Sequence, residues 1–205
     1  MVEGRGAVAP HPVAVRLSPT DRAFVRDAVA RRMRDRGYAH RRDPWGRGLI
    51  GELAVVYGLA GEVAFSDWLY RTCRVLRPAD VTYREFGDRG RDFEAFGLTI
   101  QVKCGGSHTS KVRIRRITES RRLCELTWDV LVQARVARPL AADGLPTAVE
   151  FLGWGWRQEL TTGRRLERSR LAGHFNIVAD ASELQPMSRL ADLVLSRKAE
   201  AERWT

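Results

Sequence analysis

The residues best equipped for chemistry fall in one stretch, Gly90 to Lys103, reading GRDFEAFGLTIQVK. Two carboxylates, Asp92 and Glu94, precede a Phe96-Gly97 turn. The run after the turn alternates apolar Leu98, Ile100 and Val102 with polar Thr99, Gln101 and Lys103. A period of two marks a half-buried strand, so the apolar set faces a core and Gln101 and Lys103 emerge together on the opposite face. Asp92 and Glu94 share a face if their own run is extended. The two runs then form a hairpin that gathers a carboxylate, an amide oxygen and an ammonium group at one end. Such a set can hold a hard cation and an anion side by side.

The element that must position this hairpin lies upstream. Asp43-Pro44-Trp45-Gly46 is a turn cluster, after which Leu49, Leu53, Val56, Tyr57 and Ala60 recur at helical spacing, with Gly61 as the expected stop. Glu52 adjoins that stripe, and a carboxylate beside a buried face is costly unless something pairs with it. A helical Glu52, then Asp92, then an apolar strand carrying Gln101-Val102-Lys103, resembles the PD-(D/E)XK nuclease superfamily over roughly Arg47 to Lys103. The resemblance implies a restriction-endonuclease-like α/β fold, with a mixed central sheet flanked by helices. It also implies Mg²⁺-dependent hydrolysis of phosphodiester bonds, DNA before RNA, with Mn²⁺ able to substitute. The implied catalytic set is Glu52, Asp92, Gln101 and Lys103. Asp92, Gln101, the backbone carbonyl of Val102 and Glu52 would hold the metal, and Lys103 would orient the attacking water or stabilise developing charge. Two features depart from the family pattern: no Pro precedes Asp92, and Gln101 stands where an acidic residue is commoner. One fewer negative charge at the metal predicts a millimolar Mg²⁺ requirement. Glu94 and Asp88 are reserve carboxylates. Cutting both strands takes two such sites, which makes a homodimer the expected assembly.

The charge balance points to the same class of partner. In 205 residues, 35 Lys and Arg stand against 25 Asp and Glu, a formal charge of +10. That excess favours a polyanion, nucleic acid first, although a GC-rich genome also enriches Arg and Ala. Two stretches concentrate it: RRMRDRGYAHRR, ending at Arg41 and Arg42, and KVRIRR, which sets Lys111, Arg113 and Arg115 at period two with Arg116 following. Either can contact phosphates. The alternatives are a solvated helix face for the first and a charge-protected edge strand for the second.

Other chemistries lack their signatures. No GxSxG or Walker-A motif is present, which removes the nucleophile-elbow and P-loop classes. Cys73, Cys104 and Cys124 have no CxxC spacing, which argues against a disulfide framework or a structural zinc site. His11, His40, His108 and His174 are scattered, and only His108, in a glycine-flanked loop, could approach the hairpin. No apolar run reaches the roughly 18 residues a membrane span needs, and no secretory h-region is visible. The expectation is a cytoplasmic protein of prokaryotic or phage-like origin with no membrane partner. Two rivals to a nuclease stay open: a nucleic-acid-binding module of the same fold without activity, and a charged subunit that binds acidic proteins.

For the rest of the chain, Met1 to Arg16 reads as a flexible tail and 17–205 as a single domain. Ser18-Pro19-Thr20-Asp21 is a helix start, followed by Phe24, Val25, Ala28, Val29 and Met33 at helical spacing and a stop at Gly37. Val63 to Tyr83 has no clear period. Trp128–Val136 and Ala148–Trp156 read as strands joined through Pro139–Pro146, and Phe175–Val178 as a short strand. Ser188–Arg203 reads as a terminal helix with Leu190, Leu193 and Val194 inward. The pattern is that of a mixed α/β protein.

Overall fold

A computed structural model of the chain describes residues 11–35, 50–76, 92–117, 126–164, 166–168 and 175–204. In chain order the elements are β1 (Val13–Arg16), α1 (Pro19–Asp35), α2 (Ile50–Cys73), β2 (Phe93–Ala95), β3 (Leu98–Gly105), β4 (Lys111–Ile117), β5 (Val130–Val136), β6 (Ala148–Trp156), α3 (Arg157–Thr161), β7 (Leu166–Arg168), β8 (Phe175–Asp180) and α4 (Met187–Glu202). A short 3-10 turn, Ala181–Glu183, precedes α4. Five strands form a mixed sheet in the order β1-β6-β5-β3-β2, and three form a second sheet in the order β4-β8-β7. In the larger sheet β3 and β5 run parallel, while β2–β3, β5–β6 and β1–β6 are antiparallel. The α/β class expected from the sequence is therefore present.

The layers follow from which side of each strand is apolar. Leu98, Ile100 and Val102 of β3, with Val130, Val132 and Ala134 of β5, meet residues of α1, α2 and α4 in the larger core. Leu131 of β5 faces the other way, into a second core with Val112 and Ile114 of β4, Ile177 and Ala179 of β8, and Leu160 of α3. β5 is thus buried on both faces, which explains why WDVLVQARV is almost continuously apolar. The expected flanking by helices needs correction here. α1, α2 and α4 cover one face, and the other is covered by the small sheet with the five-residue α3. β4 carries too regular an alternation to be anything but a strand, and its apolar side requires a sheet-side core of its own.

Two local expectations also change. Val13–Arg16 is not tail but strand β1, paired with Ala148–Phe151 of β6. Val15 is the residue it buries, and its partner Val149, 134 residues away, leaves no local signal. The second helix does not stop at Gly61 but continues to Cys73, through the stretch that showed no period. Gly61 faces β3, and a Cβ there would lie 2.5 Å from Cys104 Cβ. The glycine lets helix and strand approach closely instead of ending the helix. Gly58 offers no such contact, so Gly58 and Gly61 differ in what they do. The start of α1 forms as read: Ser18 N–H donates to Asp21 Oδ2 at 2.8 Å, and Asp21 N–H donates to Ser18 Oγ at 3.1 Å, a reciprocal cap. The expected stop at Gly37 lies outside the described residues.

Candidate functional site on the β2–β3 edge

The hairpin predicted from the sequence is present, with Phe93, Glu94 and Ala95 opposite Ile100, Thr99 and Leu98. Phe96 and Gly97 close it with φ of 51° and 75°. Two successive left-handed residues match the right-handed twist of the strands they join. Phe96 is an unusual choice for that conformation, and its ring packs against the larger core.

Asp92 sits where β2 begins. Its N–H donates to the Ile100 carbonyl at 3.0 Å, and its Oδ2 accepts the Val102 N–H at 2.6 Å. Backbone groups alternate sides along a strand. Residues 100 and 102 therefore turn their polar backbone toward β2, while 101 and 103 turn theirs toward β5. The Val102 carbonyl oxygen accordingly lies on the same side of β3 as the Asp92 carboxylate. The side chains of Thr99, Gln101 and Lys103 occupy the face opposite Leu98, Ile100 and Val102, and all three are half-buried. Glu94 falls on that same face, because Phe93 and Ala95 on either side of it are buried on the other, while Asp92 precedes the strand and reaches the β3 edge through its bond to the Val102 N–H.

This face is covered over β5, where Leu131 and Gln133 are buried, and open along β3 and β2. Gln133 lies beside Lys103 in register, and its Nε2 donates to the Lys103 carbonyl at 3.0 Å and to the Ala134 carbonyl at 2.9 Å. Asp129 sits one strand over from Thr99. Its Oδ2 accepts the Thr99 N–H at 2.9 Å and the Thr99 hydroxyl at 2.6 Å. Asp129 and Gln133 were not legible as site neighbours. The β3–β5 pairing spans 30 residues of sequence, and neither residue stands in a motif. Burial pushes the Cys104 thiol, next to Lys103, up to about 12, so it stays protonated and is no nucleophile at neutral pH.

Asp92, Gln101, Val102 and Lys103 are thus brought together, and Glu52 is not. α2 crosses β3 where Gly61 meets Val102 and Cys104. Glu52 lies nine residues earlier, about 13 Å back along the helix axis. It lines a separate groove with Arg26, Met33, Leu53 and Asp143. There it is exposed in the first turn of α2, where the helix dipole favours a carboxylate, so the burial cost that suggested a metal role does not arise. Among the described residues no three His, Cys, Asp or Glu side chains cluster as a metal site. The candidate donors here are one carboxylate, one amide oxygen and one backbone carbonyl, which such a cluster does not include.

Lys111 and Arg113 are exposed on the outer face of β4, with Val112 and Ile114 buried beneath them. The side chains of Arg115 and Arg116 lie outside the described residues, although their backbone belongs to β4. Arg41, Arg42 and the reserve carboxylate Asp88 also lie outside the described residues. His108 is exposed in the loop between β3 and β4.

No protein-family model, curated protein or solved structure matches this chain. Among the described residues no helix is long and apolar enough to cross a membrane.

Proposed function

We propose that the protein is a metal-dependent phosphodiesterase acting on nucleic acid, DNA before RNA, on a restriction-endonuclease-like variant of the α/β fold. The supporting observation is the convergence at the open edge of the sheet. The Asp92 carboxylate and Val102 carbonyl lie on one side of β3, and Gln101 and Lys103 project from the open face of the same strand. Oxygen donors of this kind suit Mg²⁺, which takes few protein ligands and leaves positions for water and phosphate. When bound, such an ion acidifies its water and polarises a phosphoryl oxygen. Asp92, the Val102 carbonyl and the Gln101 amide oxygen are the groups that would hold it. Lys103 would stabilise negative charge on the phosphate, and Gln133 fixes the strand that carries Lys103. The basic surface of β4 would draw the polyanion to this side of the molecule.

Plasmid cleavage in Mg²⁺ or Mn²⁺ tests this, with wild type beside Asp92→Asn and Lys103→Ala. Asparagine is the informative replacement, because its amide oxygen can still accept the Val102 N–H and keep the strand edge formed. Metal-dependent nicking or linearisation that both variants lose supports the proposal. Cleavage that survives both moves the chemistry elsewhere. A wild type that shifts DNA in a gel but cuts it with neither metal is a binding module, the reading that the place of Glu52 in a separate groove favours.

A further inference from the structure

The loop joining β3 to β4 builds a second polar cleft that the catalytic reading does not use. Its volume is about 340 Å³, and Gly106, His108, Thr109, Ser110, Lys111 and Arg113 line it. Two cations, two hydroxyls and an imidazole are donors, and among the described residues no carboxylate lines the cleft. Among the described residues neither Lys111 nor Arg113 has an acidic partner within 4.0 Å. Asp180 is the cross-strand neighbour of Lys111, but its Oδ1 accepts the Ser182 N–H at 3.2 Å and the Ser182 hydroxyl at 3.0 Å.

The loop is also anchored at both ends. Thr109 N–H donates to the Gly106 carbonyl at 2.9 Å, and the Ser110 carbonyl accepts from Ala181 N–H at 2.9 Å. A Cβ at Gly106 would touch the Tyr57 ring of α2 at 3.7 Å. A Cβ at Gly105 would meet Thr109 Oγ1 at 2.1 Å, so that glycine is what lets the threonine fold back. A fixed loop that presents two cations and two hydroxyls side by side, with Asp180 beyond salt-bridge distance of Lys111, is arranged for an oxyanion.

We infer that this cleft binds a single backbone phosphate of duplex nucleic acid, shared by Lys111 and Arg113 and oriented by Thr109. The inference rests on the proposed function and adds where the substrate is gripped. Gly106 is three residues beyond Lys103, so it lies within about 11 Å of it along the chain.

The test measures anisotropy of a fluorescein-labelled duplex of about 20 base pairs, with excess chelator so that nothing is cut, across a salt series. The proteins are wild type, Lys111→Gln, Arg113→Gln, the double variant, Thr109→Val and a distant control, Arg197→Gln. One shared phosphate predicts that the double variant lowers the slope of log K against log salt by about 0.9 in total. Thr109→Val is expected to bind about tenfold more weakly, the loss of one hydrogen bond to a charged group, with its slope unchanged. The control is expected to match wild type. A drop of about 1.8 in the double variant means two separate phosphates along a basic strip, and overturns the inference. So does an unchanged slope, or no binding by the wild type. The expected slopes from a protein that never cuts in Mg²⁺ or Mn²⁺ would leave this phosphate site standing and remove the nuclease reading.

Discussion

Replacing Gly61 by alanine tests the crossing of α2 over β3, and with it the placement of Glu52 away from Asp92. In a helix interior this change is worth about 1 kcal/mol in favour of alanine. Here the new methyl would lie 2.5 Å from Cys104 Cβ, an atom fixed to the backbone of a central strand. Helix or sheet must shift by about 1 Å, and overpacking of this kind costs about 1–3 kcal/mol. A strand backbone on one side and a helix backbone on the other yield little, so the upper figure applies. The net expectation is a loss of about 2 kcal/mol by urea unfolding. The second site makes the result specific. Cys104→Ala keeps the offending Cβ and gives no relief, whereas Cys104→Gly removes it. Cys104→Gly costs about 1 kcal/mol alone as a strand glycine, yet in combination with Gly61→Ala it should recover most of the loss. A glycine that merely ended the helix would also resist substitution, but no change at Cys104 would rescue it. Gly61→Ala at wild-type stability, or equal rescue by Cys104→Ala and Cys104→Gly, refutes the crossing.

Further outcomes follow from the same geometry. Glu52→Gln should cleave within about threefold of wild type, since it lies about 13 Å along the helix from the crossing; a loss as large as that of Asp92→Asn in the plasmid assay would return it to the site. Gln101→Glu should lower the Mg²⁺ concentration for half-maximal cleavage by adding a charge to the donor set; an unchanged titration curve would take Gln101 out of it. Gln133→Met removes both hydrogen bonds of a buried amide, which predicts a loss of about 1–3 kcal/mol in urea unfolding; no loss would mean that the amide does not hold β3. Glu183 is held below its usual range by the Asp180 N–H it accepts and by Arg164 beside it. A depressed carboxylate stabilises the fold above its unfolded value near 4 and loses that effect as pH falls through the folded value. The Tm gap between wild type and Glu183→Gln should therefore be open at pH 7 and close on acidification below about pH 4; a gap that persists at pH 2 would contradict this.

What could be read in advance divides by the range over which a signal acts. The cap of α1 was legible because Ser18 and Asp21 are three residues apart and satisfy each other. The β2–β3 hairpin was legible because its alternation and turn are contained within fourteen residues. The end of α4 was legible for the same reason, with Leu190 and Val194 buried as their spacing requires. Gly61 misled because a helical glycine looks the same whether it stops a helix or allows a close crossing. Only the partner, Cys104, tells them apart, and it lies 43 residues away. Val13–Arg16 is too short to carry a period, and its strand character comes from β6. Glu52 was placed by an order of residue types, and order along a chain does not fix distance when the intervening helix runs on to Cys73.

The bond between Asp92 Oδ2 and the Val102 N–H has a thermodynamic consequence. β2 is three residues long, and past its end this carboxylate is what meets the next N–H of β3. Whatever changes the charge on Asp92 therefore also acts on the last rung of the sheet. By linkage the reverse holds: a cation that binds this carboxylate would have a different affinity at a frayed β2 edge than at a fully formed one. Amide hydrogen exchange at Val102 would then report occupancy of the site through the opening of a single strand end.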